Sequence, residues 1–222
     1  MKQGSHRVAY KRISILLLGL PLLFGGCLNL EQPREKIAFY TLEYDPPQIA
    51  DLEPLPLVIR MERFSIAPTY NTNLIIYRDS SFKRDSYVYH KWRTDPGALV
   101  SHFLSRDIRQ SGLFKAVLHR ESRFSSSYIL EGSVDEFFEW DLEEIWNAVL
   151  SVSITLMAEN EPDVSKRIIF QKTYGSRKAC KQKNPQALAE AMGWAMAEVS
   201  KSIIKDIYSH LKDRTQKNLG SN

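Results

Sequence analysis

Cys27 is the residue whose type and setting point most directly to chemistry. It closes the run Leu23-Phe24-Gly25-Gly26-Cys27, behind an apolar stretch, Ile13 to Phe24, that follows the basic residues Lys2, Arg7, Lys11 and Arg12. A positive segment, an apolar segment too short for a permanent membrane span, and small residues ahead of a cysteine are the parts of a lipoprotein signal peptide. The chemistry is acylation. After cleavage ahead of Cys27, its thioether carries diacylglycerol and its freed amine a further acyl chain. At about 0.8 kcal/mol per buried methylene over three chains, such an anchor does not desorb. The alternative is a secretory signal or amino-terminal anchor with an incidental cysteine, and Phe24 stands where Leu is usual.

Other reactive groups are scattered. The sequence holds no G-x-S-x-G, H-E-x-x-H, G-x-x-x-x-G-K or G-x-G-x-x-G pattern, so no catalytic, cofactor-binding or metal-ligating residue is assigned. His90, His102, His119 and His210 fall on different expected elements and read as surface or packed histidines. The acidic run Asp135, Glu136, Glu139, Asp141, Glu143 and Glu144 reads as a solvated strand end rather than paired carboxylates or a calcium loop. Arg177, Lys178, Lys181 and Lys183 read as a charged turn, with lipid head groups or an acidic partner as the functional alternative. Cys180 has no intramolecular partner once Cys27 is acylated, which leaves a buried or free thiol or an intermolecular bridge.

Charge narrows the partners. Four of the 30 Lys and Arg and none of the 26 Asp and Glu precede Cys27, so the remaining chain is balanced, 26 against 26. A neutral domain has no long-range field to gather phosphates, which argues against nucleic acid as the main partner. Residue 28 is Leu, not the Asp that retains Gram-negative lipoproteins in the inner membrane, so the expected site is the outer membrane, facing the periplasm.

The elements that position these residues are legible from period and punctuation. Residues 1–26 form the signal, 27–36 a lipidated tether, 37–212 one domain and 213–222 a polar, frayed tail. Strands are expected over Ile37–Tyr44, Leu57–Ile66, Asn73–Arg78, Tyr87–Trp92, Leu113–Leu118, Tyr128–Trp140, Ala148–Met157 and Arg167–Tyr174. In the segment from Ala148, the residues Ala148, Leu150, Val152, Ile154 and Leu156 share one face and Ser151, Ser153 and Thr155 the other, the pattern of an antiparallel sheet with one dry side. Two helices are expected. One begins at Pro96 behind Thr94 or Asp95 and stops at Gly112; the other begins at Pro185 behind Asn184 and carries an apolar stripe from Leu188 to Leu211. The expected fold is α+β, a mostly antiparallel sheet with one face covered by two amphipathic helices.

The segment Tyr87-Val88-Tyr89-His90-Lys91-Trp92, followed by Pro96 and a helix, joins Phe39-Tyr40-Thr41-Leu42, Gly112-Leu113-Phe114 and Leu130-Glu131-Gly132 in an order that resembles the ABC-type transport auxiliary lipoproteins, the PqiC-like family. The likeness covers nearly all of residues 37–210, although Arg93 follows Trp92 where the family usually has a small residue. It implies a non-enzymatic lipoprotein without cofactors. Such a protein works with an MCE-domain protein of an ABC transporter that moves phospholipid or other apolar molecules across the envelope. The alternative function is outer-membrane assembly or envelope integrity. Tyr87, Tyr89 and Trp92, read either as a packed corner or as a docking patch, and the polar sheet face at Ser151, Ser153 and Thr155 are the candidate surfaces for that partner or a second copy of this chain.

Overall fold

The computed structural model describes residues 35–220, in which the elements run β1 (Ala38–Tyr40), β2 (Leu55–Met61), β3 (Ser65–Ile66), β4 (Leu74–Arg78), β5 (Arg84–Trp92), α1 (Pro96–Gln110), β6 (Phe114–His119), β7 (Tyr128–Leu142), β8 (Ile145–Ala158), α2 (Val164–Arg167), β9 (Ile168–Ala179) and α3 (Pro185–Gly220). The nine strands form one sheet with β7 as its spine. On one side β7 pairs antiparallel with β8, which pairs antiparallel with β9. On the other side β2, β3 and β4 pair parallel to β7 at successive points along it. β5 joins β4 antiparallel, while β1 joins β5 and β6 joins β2, both parallel. The long ladders are the antiparallel ones that the alternation predicts, so the α+β reading stands. The parallel pairings join segments remote in sequence, which periodicity alone does not reveal.

The two expected helices, α1 and α3, form for the reasons legible in the chain, and the four-residue α2 is additional. Asp95 accepts from the Ala98 N–H at 2.9 Å and Pro96 fills the first turn of α1, whose residues Leu99, Val100, Phe103, Leu104 and Ile108 are all buried. The chain leaves this helix through Gly112 at φ 67°, a left-handed position that suits glycine. Asn184 accepts from the Ala187 N–H at 2.8 Å to start α3. The α3 stripe Leu188, Met192, Ala195, Val199, Ile203, Ile207 and Leu211 is wholly buried against the sheet.

Four local expectations change. The strand expected over 37–44 shortens to Ala38–Tyr40. The strand expected over 57–66 is broken into β2 and β3 around Glu62-Arg63-Phe64. β9 extends to Ala179, so Arg177 and Lys178 lie on a strand, not in a turn, and Cys180 is buried just beyond it. The polar segment from Asp213 continues as helix, fastened by an Arg214–Glu161 ion pair at 3.2 Å and by the Thr215 hydroxyl donating to the Leu211 carbonyl.

One irregularity governs the site. The β7–β8 register slips between Val134 and Glu136, a bulge at Asp135. Because side chains alternate with a period of two, one extra residue turns every later β7 side chain over to the opposite face. Leu130 and Val134 face the helices before the bulge; Phe137 and Glu139 do so after it, and Phe138 and Trp140 turn to the face the helices leave open.

Candidate functional site

Cys27 lies outside the described residues. The aromatic segment does not act as one patch. Trp92 is core: its ring packs edge-on against Phe137 at 5.1 Å, its backbone N–H donates to the Asn73 carbonyl, and its exposure is 1%. It is therefore corrected from a docking candidate to a packed strand-to-helix corner. Tyr87 is half-buried, with its ring against Tyr77, His90 and Trp146 and its hydroxyl donating to both Glu139 oxygens, at 2.9 and 3.2 Å. Only Tyr89 of the three is exposed.

Ser151, Ser153 and Thr155 do share the face away from the helices. Ser153 donates to the Asp135 carboxylate and meets the Thr173 hydroxyl at 2.7 Å, and Gln171 donates to the Thr155 hydroxyl at 3.0 Å. Ser151 lines an open groove of about 430 Å³, and Ser153 and Thr155 line another of about 520 Å³, where Thr155 itself is 8% exposed.

The bulge places a second group of side chains beyond them on the same face. Trp140 is stacked between the guanidiniums of Arg78 and Arg177, each 4.1 Å from a ring centroid. Phe138 is flanked by Arg78 at 5.5 Å and Arg84 at 5.6 Å, and Tyr70 stacks parallel to it at 6.0 Å. Arg78 and Arg84 are direct cross-strand partners, a like-charge pairing that costs energy unless rings or a ligand offset it. Arg78 Nε and Trp140 Nε1 are buried without a hydrogen-bond partner. Sequence reading missed this ladder. Its one signal was the Arg and aromatic content of segments 70–84 and 138–140; the register that stacks them depends on the bulge.

Behind the ladder, on the helix side, Glu139 is 1% exposed. This corrects its reading as part of a solvated strand end. Burial, reinforced by the neighbouring Asp141 charge, pushes its carboxyl up to about 7 despite the Tyr87 hydrogen bond and the charge of Lys183. Cys180 sits nearby, its thiol pushed up to about 11 by burial and by the Glu139 charge. Such a group is protonated at neutral pH and is a poor nucleophile. The four histidines among the described residues stay apart. His90 meets the Tyr40 hydroxyl at 3.0 Å, His102 packs on Phe103, His119 contacts Arg109 and His210 stacks on Phe170. Among the described residues no three His, Cys, Asp or Glu side chains are grouped to hold a metal. The expected basic turn is tied down: Lys178 pairs with Glu198, Lys181 with Glu190 and Lys183 with Asp141.

A curled sheet with two helices on one face and an Arg-aromatic ladder on the other is the class of domain that the geometry defines. No protein-family model and no curated protein matches the sequence. Solved structures do share the fold. They include protein XCC0632 from Xanthomonas campestris, described by the family model DUF330, at 15% identity and a TM-score of 0.72, with 81% of this chain and 99% of that one covered. An uncharacterized protein aligns at 12% identity and a TM-score of 0.60, covering 78% and 99% of the two chains. The hypothetical protein CT253 from Chlamydia trachomatis aligns at 10% identity and a TM-score of 0.50, covering 70% and 98%.

Proposed function

We propose that the protein is a non-enzymatic lipoprotein of the cell envelope, anchored through Cys27 in the outer membrane and facing the periplasm. In this reading it is an auxiliary adaptor of an MCE-type ABC transport system for phospholipid or other apolar molecules. The lipobox and the sequence resemblance support the anchoring and the system. The observation that carries the adaptor role is the open sheet face. Both long helices pack on the opposite side, leaving Ser151, Ser153 and the exposed Arg177 that caps the half-buried Trp140 available to a partner. Arg and Trp are the side chains that most often dominate binding energy, and about 800 Å² per partner is enough for a specific complex.

Two outcomes follow. Cys27→Ala should accumulate as an unlipidated precursor, so metabolic labelling with a radioactive fatty acid should give no label; undiminished label would remove Cys27 as the attachment site. Photo-crosslinkers at Ser153 and Arg177 in cells should capture an MCE-domain protein. Capture of barrel-assembly proteins alone would replace the adaptor reading with outer-membrane assembly or envelope integrity.

A further inference from the structure

Exposed apolar side chains are unevenly distributed over the described residues. Of the ten large ones, five (Ile37, Phe39, Phe82, Val88 and Tyr89) lie along one edge of the sheet, on β1, β5 and the β4–β5 hairpin, or at Ile37 where the chain leads into β1. Val88 is 68% exposed and Phe82, at the hairpin tip, 83%. Phe82 adopts φ 64°, a left-handed conformation unfavourable for a bulky side chain. The turn that holds it there is pinned by the Ser81 N–H and hydroxyl, both donating to Asp79 Oδ1. An apolar ring kept outward by a strained backbone calls for something to receive it.

Basic groups interleave with these rings. Lys83 follows Phe82, and Lys91 and Arg93 follow Tyr89, with the Arg93 guanidinium 5.7 Å from the Phe39 ring centroid. Asp85 is the acidic residue of β5, and it pairs with Lys83 at 3.5 Å. The β7–β8 turn at the same end carries Glu143 and Glu144, so the surface suits mixed head groups rather than a strongly anionic sheet. Aromatic rings with Lys and Arg beside them are the composition of a water–membrane interface.

The direction of β1 says which surface lies within reach. β1 runs parallel to β5 with Ala38 opposite His90 and Tyr40 opposite Trp92, so the chain comes into the fold beside Tyr89, from the side on which β5 begins and the Phe82 hairpin projects. Cys27 precedes Ile37 by ten residues, a reach of about 35 Å at full extension. A lipid-anchored chain of that length holds the edge at high effective concentration over the bilayer, so a contact too weak to bind membrane by itself still orients the domain. We infer that the β1–β5 edge and the Phe82 hairpin form a lipid-contact surface that orients the domain on its membrane. The inference rests on the lipoprotein reading.

The test uses the full lipidated chain in vesicles of phosphatidylethanolamine and phosphatidylglycerol, with acyl chains brominated as quenchers. Cysteine with an environment-sensitive dye replaces Phe82, Val88 or Phe124 in turn. Phe124 is the control: it is 78% exposed but precedes β7, at the opposite end from the β7–β8 turn. Dye at positions 82 and 88 should be quenched several-fold more than dye at 124. Equal quenching at all three sites, or none at 82 in a chain that floats with the vesicles, overturns the proposal. So does quenching at 124 alone. A blue shift at 82 that persists unquenched assigns the edge to a protein partner and equally overturns it. A wild-type chain that fails to float removes the lipid anchor itself, a separate failure visible before any dye is read.

Discussion

Val199→Asp should unfold the domain or bring it close to unfolding. Val199 lies in the buried stripe of α3, 1% exposed, between Ala195 and Ile203. A carboxylate placed there gives up its hydration without a partner, a cost of several kcal/mol, and the valine contacts are lost as well. A total near 5 kcal/mol would consume much of the roughly 5–15 kcal/mol that holds a typical domain together. At about 2–4 °C per kcal/mol for a chain of this size, the midpoint of thermal unfolding should fall by roughly 10–20 °C. Lys201→Asp, at an exposed position on the same helix, reverses a charge in water and should shift the midpoint by a small fraction of that. Equal shifts for the two substitutions would mean that α3 does not pack on the sheet as described.

Legibility followed the range of the interaction. The helices were readable because their determinants are local: Asp95 and Asn184 cap, Pro96 and Pro185 start, and the stripes on α1 and α3 recur at three and four residues. β8 was readable because Leu150, Val152, Ile154 and Leu156 alternate without interruption. The parallel contacts of β2, β3 and β4 with β7 were not readable, since partners such as Ile59 and Tyr128 leave no shared pattern in the chain. The bulge at Asp135 was the costliest omission. Phe137-Phe138-Glu139-Trp140 alternates no more clearly in one phase than the other, and a single extra residue decides which pair faces the helices. That one residue moved Glu139 from the solvent to the core and brought Trp140 out between two arginines. Trp92 was open between packed corner and docking patch for the converse reason: an aromatic favoured at interfaces is also a good core filler, and the edge-on contact with Phe137 at 5.1 Å that decides it comes from across the sheet.

The buried Glu139 makes stability depend on pH in the direction opposite to most carboxylates. Its folded value, about 7, lies above the ordinary 4.5, because burial disfavours the charged form and Asp141 adds to that, while Tyr87 and Lys183 only partly offset it. The folded state therefore holds a proton that the unfolded chain has released. The stabilisation is fully present below about pH 4.5 and is lost as pH rises through about 7. At 1.36 kcal/mol per unit, the difference between the two values amounts to about 3 kcal/mol. Glu139→Gln keeps the shape and still accepts from the Tyr87 hydroxyl, but cannot ionise. Judged from denaturant midpoints, it should be the more stable by under about 1 kcal/mol at pH 5 and by about 3 kcal/mol at pH 8. Tyr87→Phe tests the same site from the other partner. Removing the 2.9 Å donor leaves the ionised carboxylate with less support, so the loss of stability should be larger at pH 8 than at pH 5. If wild type and Glu139→Gln keep a constant difference from pH 5 to pH 8, Glu139 is not the buried titrating group, and the inward turn of β7 after Asp135 must be reconsidered.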